Sequence, residues 1–303
     1  MYISLNPGVV GIRNVDFASL VRAASAIGFE GISFPVGDVA SPHHARELAA
    51  RLRDAGMRWG LFGLPRDFLR IDDDAFESGL NELERVLPIV EAARCTRTYN
   101  HVWPGSSERC YDANMDWHVG RLRRLCKTLG QAGVTLGIEF IGPKTLQDTF
   151  AFPFIRSAAG ARDLIQNVDA GLGIVVDCFH WFTSGSSLPD LDAVLQGLDV
   201  VSVHANDAFA GRTRDEQLDG ERAMPMDSGI VDAPGVLRLL DRLGCDCPVF
   251  AEPFNPSKAR FEELPIPEVL SEVVACMKRL FHAAGINGQQ SPSGDGLKAA
   301  PDA

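Results

Sequence analysis

One stretch of the chain has the pattern of a buried strand that ends abruptly in charged side chains. In residues 171–181, GLGIVVDCFHW, the residues before Asp177 are apolar or glycine, as expected for a strand covered on both faces. His180 follows three residues after Asp177. An acid and a histidine at the end of a buried strand are costly unless other groups pair with them. The stretch therefore predicts a sheet with a polar site at one edge.

Strand-like runs occur eight times, and a helical pattern follows each of them. Eight strand–helix units in one chain predict a single (β/α)₈ TIM barrel of the α/β class. We expect one catalytic domain over residues 1–286 and a disordered tail at 287–303, where Gly, Ser, Gln and Pro are frequent. An open doubly wound sheet is the alternative, but residues 6–11, NPGVVG, lack its phosphate-binding turn. The predicted strands are residues 2–6, 31–36, 58–64, 96–103, 134–141, 171–178, 200–204 and 248–252.

Composition narrows the classes of partner. A net charge of -11 disfavours nucleic acid, because phosphate binding needs clustered Lys and Arg. No apolar run approaches a membrane span, and the opening sequence MYISLNPGVV lacks the pattern of a signal peptide. The seven cysteines have no regular spacing, which is typical of reduced thiols. We expect a cytoplasmic protein without nucleic-acid or membrane partners.

Four predicted strand ends in the second half of the chain carry similar residues. The fifth, sixth, seventh and eighth strands end in Glu139, Asp177, His204 and Glu252. A lone acid at a strand end is usually a surface or capping residue, but these four converge where a barrel places its chemistry. Three carboxylates close together raise one another's pKa, and a divalent cation removes that conflict. The sequence predicts a metal site, with Mn²⁺ as the first choice and Mg²⁺, Co²⁺ or Zn²⁺ as alternatives.

Alternation along the seventh strand predicts which side chains face the barrel interior. His204 shares its side with Ser202, and small or polar residues fit an interior that opens toward a site. Val201 and Val203 are predicted to face the helices.

This donor set suggests a reaction. A divalent cation that binds a sugar carbonyl and its neighbouring hydroxyl stabilises the enediolate formed by proton removal. Glu139 and Glu252 are the predicted catalytic residues, one removing the proton and the other returning it on the opposite face. Return to the same carbon is epimerisation, return to the neighbouring carbon is isomerisation, and loss of a β group is elimination. Trp103 is predicted to form an apolar wall, and His101 to bind substrate or to hydrogen-bond within its loop.

Several stretches of the second half resemble the sugar phosphate isomerase/epimerase superfamily, the xylose isomerase-like barrels. The superfamily includes ketose 3-epimerases, hydroxypyruvate isomerase and inosose dehydratase. The resemblance implies a divalent metal on the four strand-end residues. It also implies substrate contacts from His180 and from an arginine of the seventh loop, Arg222 first and Arg212 second. The matching stretches are GIEFIGPKT (137–145), VVDCFHWFTSG (175–185), VSVHAND (201–207), DGERAMP (219–225) and FAEPFNP (250–256).

Two positions depart from the family pattern. The loop after Arg222 continues with Pro-Met-Asp-Ser-Gly, where the family often has Pro-Gly-Glu-Gly. Ketose epimerases tend to carry an acidic substrate ligand beyond the first metal glutamate, where this chain has Lys144 and Thr145. Lys144 is predicted to meet an anionic group of the substrate or to act as an acid or base, with a solvated loop lysine as the alternative.

The predicted function is a metal-dependent isomerase or epimerase of a sugar or keto-sugar. A dehydratase or lyase of a keto-sugar or keto-inositol is the main alternative. An abasic-site endonuclease shares Asp177, His180 and His101 with this chain, but it needs further histidines for three zinc ions. A non-catalytic metal-binding subunit is disfavoured by the presence of Glu139 and Glu252. We expect a small sugar as the partner, and a homodimer from base rates.

Overall fold

The computed structural model describes residues 1–286, and the predicted disorder of residues 287–303 lies outside the described part. Eight parallel strands form one curled sheet, in the order third, second, first, eighth, seventh, sixth, fifth, fourth. The first strand pairs with both the second and the eighth, which brings the two halves of the chain together. The strands span Tyr2–Leu5, Gly31–Phe34, Arg58–Phe62, Arg97–Val102, Thr135–Phe140, Gly173–Asp177, Val200–Ala205 and Pro248–Ala251.

The seam of the barrel lies between the third and fourth strands. The Thr98 hydroxyl donates a hydrogen bond to the Phe62 carbonyl at 2.7 Å, which joins the two strands. Helices follow the strands and cover the outside of the sheet, as the predicted TIM barrel requires. The carboxyl ends of all eight strands therefore meet at one mouth.

Within residues 1–286, eleven α-helices lie between the strands or after them. Asp16 caps the first of them, where its carboxylate accepts the Ser19 N–H at 2.8 Å. The six-residue helix that follows the sixth strand directly was not predicted, because so short an element has too little periodicity to be recognised. The α-helices span Phe17–Ile27, Pro42–Asp54, Asp73–Ala93, Tyr111–Gly130, Lys144–Gln147, Ala158–Val168, Cys178–Thr183, Leu188–Leu195, Ala233–Arg242, Ser257–Glu262 and Ile266–Ala283.

Three smaller elements complete the description. Val36–Asp38 and Arg214–Glu216 are short 3₁₀ helices. Gly105–Ser106 pairs with Phe152–Pro153 as a small antiparallel ribbon. Within residues 1–286, no helix has both the length and the apolar character needed to cross a membrane.

The prediction that Val201 faces the helices is wrong. Val201 packs against Phe250 in a small cluster that is separate from the main core. The ladder to the sixth strand skips Val201, since consecutive residues of that strand pair with Val200 and Ser202. Such a bulge breaks the alternation of sides, so Val201 and Ser202 no longer face opposite ways. Val203 belongs to the main core, as predicted.

Candidate metal centre

The structure brings the four strand-end residues together. One ligand atom from each of Glu139, Asp177, His204 and Glu252 lies within 4.8 Å of the other three. These residues are 2%, 1%, 2% and 6% exposed. His204 Nδ1 lies 3.2 Å from Glu139 Oε1 and 3.4 Å from Glu252 Oε1. Donor atoms of one coordination sphere lie about 3 Å apart, so this spacing suits a shared cation.

The chemistry of the donor set also fits a divalent cation. Three carboxylates and one imidazole match the preference of Mn²⁺ or Mg²⁺ more closely than that of a structural zinc site, which favours Cys and His. Glu139 Oε2 is buried and has no hydrogen-bond partner among the described residues. A buried carboxylate oxygen without a partner costs free energy that a bound cation would recover.

Arg222 is the arginine that contacts these carboxylates. Its Nη1 donates to Asp177 Oδ2 at 2.9 Å and to Glu252 Oε2 at 2.8 Å. Its Nη2 donates to Asp219 Oδ1 at 2.8 Å. Burial lowers the pKa of Arg222, but the surrounding carboxylates, Asp177 first, raise that pKa above its ordinary value. Arg222 is therefore a permanent positive charge at the floor of the barrel mouth.

Two carboxylates of the centre, Asp177 and Glu139, have a lowered pKa and are ionised. Burial raises the pKa of Asp177, but the charges of Arg222, His180 and His204 together outweigh it and hold that pKa below its usual range. Burial raises the pKa of Glu139 as well, and His204 and His101 together lower it by more. For His204 the signs are reversed: burial lowers its pKa, but Glu252 and Glu139 raise it well above the ordinary value. A negatively charged group of ligands thus surrounds His204 Nδ1.

Asp177 uses its two oxygens differently. Oδ1 accepts the His180 N–H at 2.7 Å and caps the helix Cys178–Thr183. Oδ2 accepts hydrogen bonds from Asn206 and Arg222, both at 2.9 Å. Asp177 can therefore cap this helix with one oxygen while its other oxygen faces the four-residue cluster.

His180 presents one ring nitrogen to the centre. Its Nδ1 lies 3.2 Å from the Gly142 N–H, and a peptide N–H can only donate. Arg222 Nη2, beside the other ring nitrogen, can also only donate, and a neutral ring can accept from just one of these two groups. Burial lowers the pKa of His180 despite the opposing charge of Asp177, which keeps the ring neutral. Nε2 lies 3.1 Å from Arg222 Nη2 and 3.9 Å from Glu139 Oε1.

Comparisons with known proteins agree with this geometry. The family model described as the xylose isomerase-like TIM barrel matches residues 21–280. The chain belongs to the xylose isomerase-like TIM barrel family. No curated protein shows a significant match to its sequence.

Solved structures share the barrel of this xylose isomerase-like protein at low sequence identity, which establishes the fold alone. IolI, solved with a bound zinc atom, has a TM-score of 0.76 and 15% identity, over 95% of this chain and 100% of that one. D-psicose 3-epimerase with D-tagatose, from Clostridium cellulolyticum H10, has a TM-score of 0.68 and 14% identity, over 94% and 99%. The probable 3-DHS dehydratase AsbF from Bacillus anthracis has a TM-score of 0.61 and 19% identity, over 89% and 99%.

Two other predicted site residues of this xylose isomerase-like barrel, His101 and Trp103, lie at different distances from the candidate metal centre. His101 pairs in register with Glu139, and its Nε2 lies 3.4 Å from Glu139 Oε2. Trp103 donates its indole N–H to Asp67 at 3.0 Å, and the Arg70 guanidinium lies 3.8 Å from its ring centroid. His101 thus borders the centre, whereas these contacts hold Trp103 in a neighbouring loop cluster.

Two predicted cations form surface ion pairs. Lys144 Nζ lies 2.6 Å from Asp148 Oδ2, and its side chain is 49% exposed. Arg212 Nη2 lies 2.6 Å from Glu221 Oε2. Among the contacts of residues 1–286, neither cation meets the four ligands, so Arg222 is the arginine of the centre. A substrate role for Lys144 stays a prediction.

Three residues of the site were missed in the sequence. Asn206 and Asp219 hold Asp177 and Arg222, and both belong to stretches that carry the family resemblance. Tyr99 lies in the fourth strand, with its ring centroid 5.1 Å from that of His204. A tyrosine inside a strand reads as ordinary core, so no sequence signal marked it.

Gly142 allows the close approach of the His180 helix, and we expect Gly142→Ala to disturb it. A Cβ at this position would lie 2.2 Å from the His180 carbonyl oxygen and 2.5 Å from Thr183 Oγ1. The overpacking should lower the free energy of unfolding by about 1–3 kcal/mol and shift the His180 ring signals in NMR spectra. Gly120→Ala is the matched control, because nothing lies within 4 Å of its added Cβ. Unchanged His180 signals would contradict the expectation.

Proposed function

We propose that this protein is a divalent-metal-dependent isomerase or epimerase of a sugar or keto-sugar. The observation that carries the proposal is the buried cluster of three carboxylates and one imidazole at the mouth of the barrel. The fold is shared with IolI, solved with zinc, and with a D-psicose 3-epimerase solved with D-tagatose. Mn²⁺ is the metal that we propose.

The two glutamates are the proposed proton-transfer groups. A bound cation would supply Lewis acidity to a substrate carbonyl, which lowers the barrier to removing the neighbouring C–H proton. Glu139 lies near the end of the fifth strand and Glu252 directly follows the eighth, so they approach the centre from different strands. Within residues 1–286, Glu139 Oε2 has no hydrogen-bond partner, whereas Arg222 holds Glu252 Oε2 at 2.8 Å. We assign proton removal and return to this pair.

His180 and Arg222 are the proposed substrate ligands. His180 Nε2 lies 3.9 Å from Glu139 Oε1, where it can form a hydrogen bond with a substrate hydroxyl. The Arg222 guanidinium, fixed by Asp219, can meet the oxygen on which negative charge develops. His101, beside Glu139, completes the polar side of the site. The apolar wall predicted for Trp103 stays a proposal.

The remaining parts of the proposal concern the whole molecule. We propose one catalytic domain over residues 1–286, a cytoplasmic location and a homodimer. The proposed partner is a small unphosphorylated sugar or keto-sugar.

The proposal predicts exchange of one substrate hydrogen with solvent. The protein is incubated with Mn²⁺ and a panel of keto sugars in D₂O, and NMR records exchange, epimerisation, isomerisation and elimination together. We expect deuterium at a carbon next to the carbonyl of at least one sugar, and none after EDTA treatment. Metal-independent exchange would contradict the proposal. The absence of exchange with every sugar would also contradict it and would favour a non-catalytic subunit. Three zinc ions per chain in metal analysis would favour the endonuclease alternative.

A dehydratase or lyase is the second candidate. AsbF, the probable 3-DHS dehydratase, shares the fold, and position 145 is a threonine where ketose epimerases tend to carry an acid. The same proton removal then leads to loss of a β hydroxyl as water. The NMR experiment separates the two functions, because elimination produces new vinyl or deoxy signals.

A further inference from the structure

A cavity of about 360 Å³ adjoins the metal centre at the barrel mouth. Its walls follow the carboxyl ends of the first three strands, whereas the metal ligands belong to the last four. Tyr99 belongs to both places: it lines the cavity, and its ring packs against that of His204. The cavity and the centre therefore meet at Tyr99.

The cavity is chemically unlike the centre. Among the described residues that line it, Asp38 is the one that carries a formal charge, and it lies exposed. No lysine, arginine or histidine is in this lining, so it offers no counter-charge to a phosphate or carboxylate tail. The apolar part of the lining includes Ile12, Val15, Phe17, Phe34, Leu61 and Phe62.

One polar atom in the cavity wall is without a partner. The Ser33 hydroxyl is buried and forms no hydrogen bond within the described chain. The other polar side chains of the lining are Asn6, Asp38 and Tyr99, so the cavity can meet only a few oxygens of a ligand. A fully hydroxylated chain would place several hydroxyls against apolar walls without partners, which costs more binding free energy than it returns.

We propose that the substrate is a hydroxy-ketone whose reacting end lies at the metal centre and whose other end is uncharged and largely apolar. A deoxygenated chain or a hydrocarbon ring fits this description. The inference rests on the proposed function and narrows its substrate class from ordinary ketoses to ones with few hydroxyls beyond the reacting carbons. The apolar end occupies the cavity at the carboxyl ends of the first three strands.

Binding of two six-carbon ketones tests the inference. Both 1-hydroxy-2-hexanone and D-fructose carry a 2-ketone and a 1-hydroxyl, but only fructose has hydroxyls along the rest of its chain. Isothermal titration calorimetry is done with the Mn²⁺-loaded protein and with the metal-free protein. We expect 1-hydroxy-2-hexanone to bind at least about tenfold more tightly in the loaded protein and to keep a preference without metal. Equal or tighter binding of fructose overturns the inference.

Substitution of the cavity wall gives the second test. Val15 and Phe17 are partly exposed, so the Val15→Ser/Phe17→Ser double variant should fold, which circular dichroism checks. We expect it to bind 1-hydroxy-2-hexanone about tenfold more weakly and fructose within about twofold of the parent protein. Val194→Ser, at a partly buried valine on another helix, should change neither affinity. A folded double variant with unchanged affinity for 1-hydroxy-2-hexanone overturns the inference.

The two proposals fail in different ways. If the proposed function is wrong, no hydroxy-ketone shows metal-dependent deuterium exchange. If the cavity inference is wrong, the binding measurements alone show it, whether or not exchange occurs. Exchange with fructose together with preferred binding of fructose would keep the first proposal and reject the second.

Discussion

Glu139→Gln and Glu252→Gln should each abolish detectable deuterium exchange in a substrate that the parent protein labels. Glutamine keeps the shape and one oxygen ligand of glutamate, but it has neither the negative charge nor the basicity needed to accept a proton. Loss of a positioned general base costs about 10²–10⁴-fold in rate. NMR in D₂O with saturating Mn²⁺ measures the exchange rate of each variant.

Metal content has to be measured in the same samples, because both glutamates belong to the proposed coordination sphere. A variant that keeps its metal and loses exchange has lost the base, whereas a variant that loses its metal has lost a ligand. Glu77→Gln is the control, since Glu77 is an exposed partner of Arg124 on an outer helix. Parent-like exchange in both site variants would remove these carboxylates from the mechanism.

The fold and the cluster of four possible metal ligands were predictable because local and long-range signals agree in this chain. Each predicted ligand stands at the end of an apolar run, and parallel strands of a barrel bring such ends together. Asp177 shows the value of the repeated pattern. Taken alone, Asp177 could be explained as a capping residue. In the structure its Oδ1 does cap a helix, while its Oδ2 accepts a hydrogen bond from Arg222.

The missed features depend on contacts that no local pattern encodes. The bulge at Val201 turns this side chain toward the barrel interior, although the apolar sequence around it looks like that of a regular strand. Tyr99 resembles core in the sequence and becomes part of the site through the packing of His204 against it. The cavity of the first half is lined by ordinary apolar residues such as Phe17, whose proximity to the centre follows from barrel closure.

Loop placement was equally beyond prediction from sequence. The long loop after the seventh strand departs from the family pattern, but it is fixed at its base by the Asp207 carboxylate. This group accepts four backbone hydrogen bonds at 2.7–3.0 Å, from Ala208, Ser228, Gly229 and Val231. The backbone of Asp207 also pairs with Ala223, directly after Arg222. The loop can thus vary in sequence while Arg222 keeps its position.

Arg222→Met should make the stability of the protein strongly dependent on metal. The Arg222 guanidinium is 3% exposed at its side chain and holds both Asp177 and Glu252. Removing one partner from a buried ion pair leaves an uncompensated charge, which costs about 3–5 kcal/mol. A divalent cation among the same carboxylates would neutralise them in turn. We therefore expect a large loss of unfolding free energy in EDTA and a partial recovery in Mn²⁺.

Urea unfolding of the parent and the variant, each in EDTA and in saturating Mn²⁺, measures the effect. Mn²⁺ should stabilise Arg222→Met by more than it stabilises the parent, because the parent already has a cation beside these carboxylates. Arg212→Met is the matched control: its partner Glu221 is 39% exposed, so its removal should cost about 1 kcal/mol or less, with or without metal. Equal stabilisation of Arg222→Met and the parent by Mn²⁺ would contradict the expectation. It would show that the metal binds away from Asp177 and Glu252, because a metal beside these carboxylates should stabilise the protein more when Arg222 is absent.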